Sequence, residues 1–402
     1  MVLEKILDAG PQALVMTATQ RRWSLAAIIL HMLAIGVALG IGFPLTTLVL
    51  DSWGIEAWLI GLVATMPSIG MLVFIPLMPR LIAGLGMLPS MYLGCLIGVV
   101  GYLLLPLAPS VPAWIGLRFL VGVGLSLPWL VGETWINSLS TAENRGRVVA
   151  LYGAALFLGL AAGPSVVGYT GIEGWAPFLV AAGAVLLAMV PLALARKVAP
   201  PMHQQVSLGY RQAINHAPTV FTAALLAGFA EMGLYALLPL YVIRGGLDQD
   251  FSLLLLTVMT LGGLFMPYPI GWLADHYSKR LVLAVMGFWA TLLVISLAFI
   301  LDITWLVYLV GFLIGGLMLG FYTVGLALLG ERFKLGDLAV ANAAFILFYE
   351  AGASTGPVVS GFAMDLWDPY GLLLVVASGT GLFALLAVGR SLFKQDEKPE
   401  PL

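Results

Sequence analysis

The chain is written in long apolar runs of about 20 residues, the length an α-helix needs to cross the hydrocarbon core of a bilayer. Cutting those runs at charged and Pro/Gly clusters predicts six spans in the first half: Trp23 to Leu48, Ile55 to Ile82, Met87 to Leu107, Trp114 to Leu139, Val148 to Tyr169 and Trp175 to Leu194. A polar stretch from Arg196 to Pro218 separates them from six more: Val220 to Val242, Phe251 to Ala274, Leu281 to Leu301, Trp305 to Gly330, Leu338 to Ala363 and Tyr370 to Gly389. Soluble domains carry about 25% charged residues. Here the fraction is 9% in 402 residues, which excludes a water-exposed globular or disordered chain. A transmembrane β-barrel would instead show short alternating strands. The net charge of −2 offers no overall basic footprint for nucleic acid. The fold class expected is an all-α membrane protein of twelve transmembrane helices.

Lysine and arginine set the orientation, because positive charge is retained on the cytoplasmic side during insertion. Of 18 such residues, 16 fall before the first span, in the even-to-odd loops or in the tail; the exceptions are Arg244 and Arg118. The other loops hold acids instead: Asp51, Glu56, Glu173, Asp248, Asp250, Asp302, Asp365 and Asp368. Both termini are therefore expected in the cytoplasm. The opening MVLEKILDAG has acids and no unbroken apolar core, so no cleaved signal peptide is expected. The lone Cys95 allows no intrachain disulfide.

An internal repeat appears at a constant offset of 193 residues. Gly159, Gly163, Pro164 and Gly168 match Gly352, Gly356, Pro357 and Gly361; Phe119 and Gly122 match Phe312 and Gly315; Pro76 matches Pro269. Two six-span halves in the same orientation are a parallel repeat, an arrangement in which transporters place the substrate site between the halves near the bilayer midplane. The small residues also permit close helix packing, and rocking halves need both. The expected units are a segment 1–22, a bundle 23–195, a loop 196–218, a second bundle 219–390 and a tail 391–402.

Four local motifs make the chain resemble a major facilitator superfamily transporter, of the prokaryotic drug, sugar or metabolite type. They are GWLADHYSKR (Gly271 to Arg280), RFLVGVG (Arg118 to Gly124), the loop AENRGRVVALYG, and GLAAGPSVVG (Gly159 to Gly168). The corresponding loop of the first half reads MPRLIAGLGM and keeps only Arg80. The resemblance implies two pseudo-symmetric six-helix bundles, a conformational latch at Asp275, Lys279 and Arg280, a link between Arg118 and proton transfer, and a fifth-span motif associated with proton-coupled exporters.

Charges within spans cost several kcal/mol and are functional candidates by default. Four are present: Arg118, Glu133, Glu231 and Glu350. Glu231 falls near the middle of the seventh span, where a carboxylate can alternate between protonated and ionised forms; the alternative is a permanently protonated, hydrogen-bonded group. Glu350 is equally deep in the eleventh span, on a polar strip with Asn342 and Ser354. Arg118 and Glu133 share the fourth span but lie about 22 Å apart along the axis and cannot pair. Glu133 is expected toward the cytoplasmic end as a gate, within reach of Arg145, Arg147 or Arg80. His31 is a candidate relay or a hydrogen-bond partner between helices. Trp129, Trp135, Tyr235 and Tyr322 could shape a cavity, and the 193-residue offset relates Trp129 to Tyr322.

No metal-binding histidine pair or phosphate-binding GxxxxGK[ST] occurs, so no enzyme activity, metal or cofactor is expected. The expected function is secondary active transport of a small organic solute by alternating access, powered by the proton motive force, with export favoured. The setting is a bacterial-type inner membrane, the partners are solute and lipid bilayer, and the expected state is a monomer. Proton-coupled uptake or facilitated diffusion remains open, as does a sensor or assembly factor built on the same scaffold.

Overall fold

A computed structural model describes residues 17–140, 145–196, 218–333 and 335–393. Among them every regular element is helical. The spans are Ala18–Ser52, Ala57–Leu85, Met87–Leu107, Val111–Leu139, Arg145–Thr170, Ala176–Leu194, Pro218–Arg244, Gln249–His276, Lys279–Ile300, Thr304–Arg332, Leu335–Leu366 and Gly371–Phe393. The expected terminal segment up to residue 16, most of the loop between the halves (197–217) and the tail from 394 lie outside the described residues.

The first helix begins five residues before its apolar run. Thr17 caps it: its Oγ1 accepts from the Gln20 N–H (3.2 Å), while Gln20 Oε1 accepts from the Thr17 N–H (2.9 Å). This reciprocal box satisfies orphan donors of the first turn, so the helix runs straight through position 22. The second and eighth spans both break in the same place. The second passes through a 3₁₀ turn at Ile75–Leu77, and the eighth restarts at Pro267 after Phe265. Proline removes a backbone donor and crowds the preceding turn, and the matching Pro76 and Pro269 flank these breaks.

Among the described residues, eleven helices are long and apolar enough to cross a membrane. The twelfth helix of that length, Leu335–Leu366, carries Asn342, Glu350, Ser354 and Thr355 and falls outside that group. The reason is its position. It packs most extensively on the seventh span and on the second span of the opposite half, so a smaller share of it meets lipid. The outer surface of the bundle is apolar, with exposed Trp53, Trp175, Trp305 and Trp367 near one set of helix ends and Trp23 and Trp272 near the other. Tryptophans favour the two membrane interfaces.

Alternating spans define two faces: a terminal face, with the first residue of the first span and the last of the twelfth, and a distal face with the loops at 53–56 and 245–248. The packing repeats between halves. The first span packs on the fifth as the seventh does on the eleventh, the third on the sixth as the ninth on the twelfth, and the second on the fourth as the eighth on the tenth. Glycines make the first of these pairs possible. A Cβ at Gly159 or Gly163 would overlap the backbone of Leu33 or Gly40, and one at Gly352 or Gly356 the carbonyl of Leu225 or Phe229. Gly361 is also closed in, by the Ala57 carbonyl across the halves, whereas Gly168 has room for a methyl beside Leu253. Five of the six glycines paired between the fifth and eleventh spans are thus contact points, and Gly168 is the exception.

The halves meet along the second and eleventh spans, the fifth and eighth, and the first and seventh. Among the described residues, the hydrogen bonds, ring contacts and glycine approaches that join them run from the distal face to the middle of the bundle, as at Gly61 against Pro357, Thr47 with Ala236, Ser165 with Thr257 and Phe43 against Tyr235. A shallow groove of about 700 Å³, lined by Leu158, Ser165, Tyr169, Val180, Thr257 and Leu261, opens on the lateral surface and holds none of the buried carboxylates.

Candidate functional site

The tight contact of the seventh and eleventh spans positions the first candidate group. Gly228 lets the seventh span approach the Tyr349 carbonyl. One turn further along, Glu231 is only 4% exposed, and its Oε2 accepts a 3.0 Å hydrogen bond from the Tyr349 hydroxyl. Tyr349 is held edge-on by Tyr322 of the tenth span (5.3 Å, 82°), and Tyr322 packs in turn against Phe345 (5.1 Å, 73°).

Glu350, the residue after Tyr349, points to the other half, where Ser68 of the second span hydrogen-bonds it. It also lies within electrostatic range of Glu133. Glu133 Oε1 accepts from the Trp129 indole N–H at 3.1 Å, and the Tyr152 hydroxyl lies within range of the same carboxylate. Tyr322 feels all three acids, Glu133, Glu350 and Glu231. The pseudo-symmetric mates Trp129 and Tyr322 therefore converge on Glu133. Three carboxylates, one from the first half and two from the second, thus lie around Tyr322 at mid-depth, where the two halves meet. Glu133, Glu350, Trp129, Tyr322, Tyr349 and Asn342 are all half-buried, neither sealed in the core nor open on the surface.

Several expectations from the sequence are corrected by this geometry. Glu133 belongs with the central acids, while Arg80 and Arg147 are exposed; the Arg145 side chain lies outside the described residues. Trp135 lines no cavity: it is fully buried and its indole N–H donates to Ser24 Oγ (2.9 Å) inside the first half. Tyr235 is likewise enclosed, its hydroxyl donating to Thr260 Oγ1 (3.0 Å) and its ring against Phe43. His31 faces the sixth span, its Nδ1–H donating to the Ala188 carbonyl (2.8 Å), on a side of the first span that the carboxylates do not reach. Arg118 is enclosed by the first, third and fourth spans, where Tyr102 is its hydrogen-bonding partner and in turn donates to the Ala38 carbonyl (2.8 Å). At the terminal face Asp275 is exposed and makes no hydrogen bond or ion pair among the described residues; Lys279 and Arg280 are half-buried. The latch residues are therefore not joined to the other half through Asp275 in this arrangement.

The distal face carries a clamp that the sequence reading passed over. Arg244, the last residue of the seventh span, donates through Nη1 to Asp368 Oδ1 (3.0 Å) and through Nη2 to Asp51 Oδ1 (3.2 Å) at the end of the first span. Asp365 accepts from the N–H groups of Ala57 (2.8 Å) and Trp58 (2.9 Å), the free donors at the start of the second span, where a negative charge also complements the helix dipole. Asp51 and Arg244 are 193 residues apart. The repeat itself was the signal: the one basic residue of the distal loops occupies the position equivalent to an acid.

Chains with this pattern and fold are known. The sequence profile described as Major Facilitator Superfamily matches residues 25–303 and 220–402, two overlapping stretches that together span almost the whole chain. The chain belongs to the Major Facilitator Superfamily. Among curated relatives, an MFS-type transporter of Enterobacter sp. (strain 638) is 27% identical over 373 residues, covering 92% of this chain and 96% of that one. The MFS-type transporter YfkF of Bacillus subtilis (strain 168) is 27% identical over 354 residues, covering 85% and 88%. Among solved structures, a bacterial homologue of the human lysosomal transporter Spinster, inward-facing and unoccupied, superposes with a TM-score of 0.74 at 14% identity over 96% of this chain and 100% of that one. The nucleoside transporter NupG gives 0.75 at 14% identity over 92% and 100%. The protein is a multi-pass membrane transporter of this superfamily.

Removing the distal clamp should shift the balance between superfamily conformers. Of the two ion pairs only Arg244–Asp51 joins the halves, and as both residues are partly exposed it contributes about 1 kcal/mol or less. Arg244→Ala is expected to raise the population open on the distal face up to about fivefold, read as faster alkylation of a cysteine placed at buried Thr47, with Asp51→Asn giving a similar effect and Asp368→Asn a smaller one.

Proposed function

We propose that this protein is a proton-coupled secondary transporter that moves a small organic solute across a bacterial inner membrane by alternating access of its two halves. The observation that carries the reading is the meeting of Glu133, Glu231 and Glu350, contributed by both halves, in the gap just below the distal contacts. Carboxylates in a cleft of low dielectric are costly as anions, and the cost changes when the halves reorient and admit or exclude water. Proton uptake at Glu231 or Glu350 neutralises the cleft and favours closure around it; release favours the state that admits water. Chemistry of this kind needs no cofactor in the chain.

In this reading the terminal face is cytoplasmic, as the lysine and arginine distribution implies, and the arrangement described is the inward-open one. Closing it would separate Arg244 from Asp51 and bring Asp275 toward the opposite half. The fifth-span motif favours export over uptake, and one copy of the chain, with its two halves, supplies both walls of the cleft.

The test uses the absence of competing thiols: Cys95 is buried and is the chain's only cysteine. In a Cys95→Ala background, a cysteine at Asn342 should alkylate readily from the terminal side and one at Thr47 slowly. An imposed proton gradient should reverse the order in proteoliposomes. Rates at both positions that stay constant under every gradient would remove the alternating-access reading.

A further inference from the structure

The two lateral seams between the halves are related by the repeat, yet only one of them is closed. Where the second span meets the eleventh, backbones touch, at Gly61 against Pro357 and at Gly361 against the Ala57 carbonyl. The 193-residue offset puts Leu254 on the eighth span where the second has Gly61, and Asp250 where it has Ala57. A leucine cannot permit the backbone approach that Gly61 does. Between the fifth and eighth spans the seam accordingly leaves the groove of about 700 Å³, with room at Gly168 that Gly361 lacks.

Two features set this groove apart from plain lipid-facing surface. Ser165 Oγ and Thr257 Oγ1, one from each half, lie 3.4 Å apart in it, about 8 Å and about 12 Å inside the distal helix ends by helical rise. The closed seam has Val358 and Ala64 at these places. Two hydroxyls that share one hydrogen bond leave an O–H free to donate, at a depth where unsatisfied polar groups are costly. The mouth, in turn, is acidic. A Cβ at Gly168 would sit 3.9 Å from Asp250 Oδ1, beside the groove-lining Tyr169, and exposed Glu173 follows the end of the fifth span.

We propose that the groove binds a diacyl phospholipid of the distal leaflet with an ammonium-ended headgroup. One acyl chain lies along Leu158, Val180 and Leu261, an ester carbonyl accepts from the free hydroxyl, and the ammonium meets Asp250 and Glu173. Exposed Trp175 marks the interface at the same end of the bundle, and the ester groups of a phospholipid lie just inside that level. Residues of both halves line the groove, so the lipid favours the arrangement closed on the distal face over one in which this seam has parted. That effect on the conformers, unlike the site itself, rests on the alternating-access reading above.

The probe is a phosphatidylcholine with a diazirine on one acyl chain, added to purified full-length protein in detergent. Photolabelling should be saturable and concentrated on peptides of the groove rather than on those of the closed seam. Unlabelled phosphatidylcholine should compete better than its diether analogue by about threefold and better than phosphatidylglycerol by about fivefold. Ala162→Trp, at an exposed position lining the groove, should fill it and abolish the labelling. Ser165→Ala combined with Thr257→Val, which disturbs packing least, should keep the labelling and lose the preference for the diester. Labelling spread evenly over the lateral surface, or equal competition by all three lipids, overturns the proposal. In a Cys95→Ala background, phosphatidylcholine added to delipidated protein should also slow alkylation of a cysteine at Thr47 about fivefold, but not in the Ala162→Trp chain. No slowing, at a cysteine whose rate does respond to a proton gradient, overturns the lipid's part in closing the distal face; a rate that responds to neither means that the alternating-access reading has failed.

Discussion

Glu231→Gln is expected to uncouple the conformational switch from protons while leaving the fold intact. The glutamine is nearly isosteric, and its carbonyl oxygen can still accept the Tyr349 hydroxyl that Glu231 Oε2 now receives at 3.0 Å. What it removes is the exchangeable proton. Couplings of this kind amount to about 1–3 kcal/mol, or about 5- to 150-fold in the ratio of states. In the native chain the ratio of alkylation rates at cysteines replacing Asn342 and Thr47 should therefore change by roughly tenfold or more between mildly acidic and mildly alkaline buffer. In the Glu231→Gln chain it should be flat. The sign follows from the proposed chemistry: protonation removes charge from the cleft, so acid favours whichever state encloses it, and the variant should resemble the native chain in acid at every pH. A variant that retains the full pH response would transfer the coupling role to Glu350 or Glu133.

The second large effect is steric. Gly163→Ala and Gly356→Ala place a methyl against backbone atoms of Gly40 and Phe229, which cannot rotate away as a side chain end could. Overpacking of this kind costs about 1–3 kcal/mol, and here it would also spread the helices that flank the gap. Gly356 belongs to the contact that holds Glu231 against Tyr349, so its loss should lower both melting temperature in detergent and any solute binding. Gly168→Ala supplies the contrast from the same motif, because the nearest atom to an added methyl is the Leu253 side chain at 3.6 Å. It should melt within a degree or two of the native chain. Equal damage from all three substitutions would remove the contact explanation, because helix propensity alone favours alanine by about 1 kcal/mol and would raise the melting temperature.

The span pattern was readable because a bilayer demands unbroken apolar helices, and only the eleventh span departs from it. That span could afford Asn342 and Glu350 because helices of both halves cover it, a shielding that no window along the chain reveals. Thr17 and Gln20 marked the start of the first helix by their spacing, but hydropathy hides such polar caps. The 193-residue repeat was equally readable, and with it the glycine contacts of the first with the fifth and the seventh with the eleventh spans. Gly168 escaped that logic because its nearest neighbour in the other half is the Leu253 side chain rather than a backbone.

By itself the sequence determined that the chain is a membrane protein of two repeated halves, because the number and spacing of apolar runs is a local property. It also reduced the buried charges to Arg118, Glu133, Glu231 and Glu350. Only the tertiary structure decided which of those belong together. Depth along a helix leaves open the direction in which a side chain points, and the angle between helices decides what it meets. So Arg118 is enclosed with Tyr102, Trp135 and His31 face inward within the first half, and Glu133 joins the acids of the second half across the gap. The Asp51–Arg244 ion pair likewise forms only where the two halves meet at the distal face, where the repeat sets opposite charges side by side.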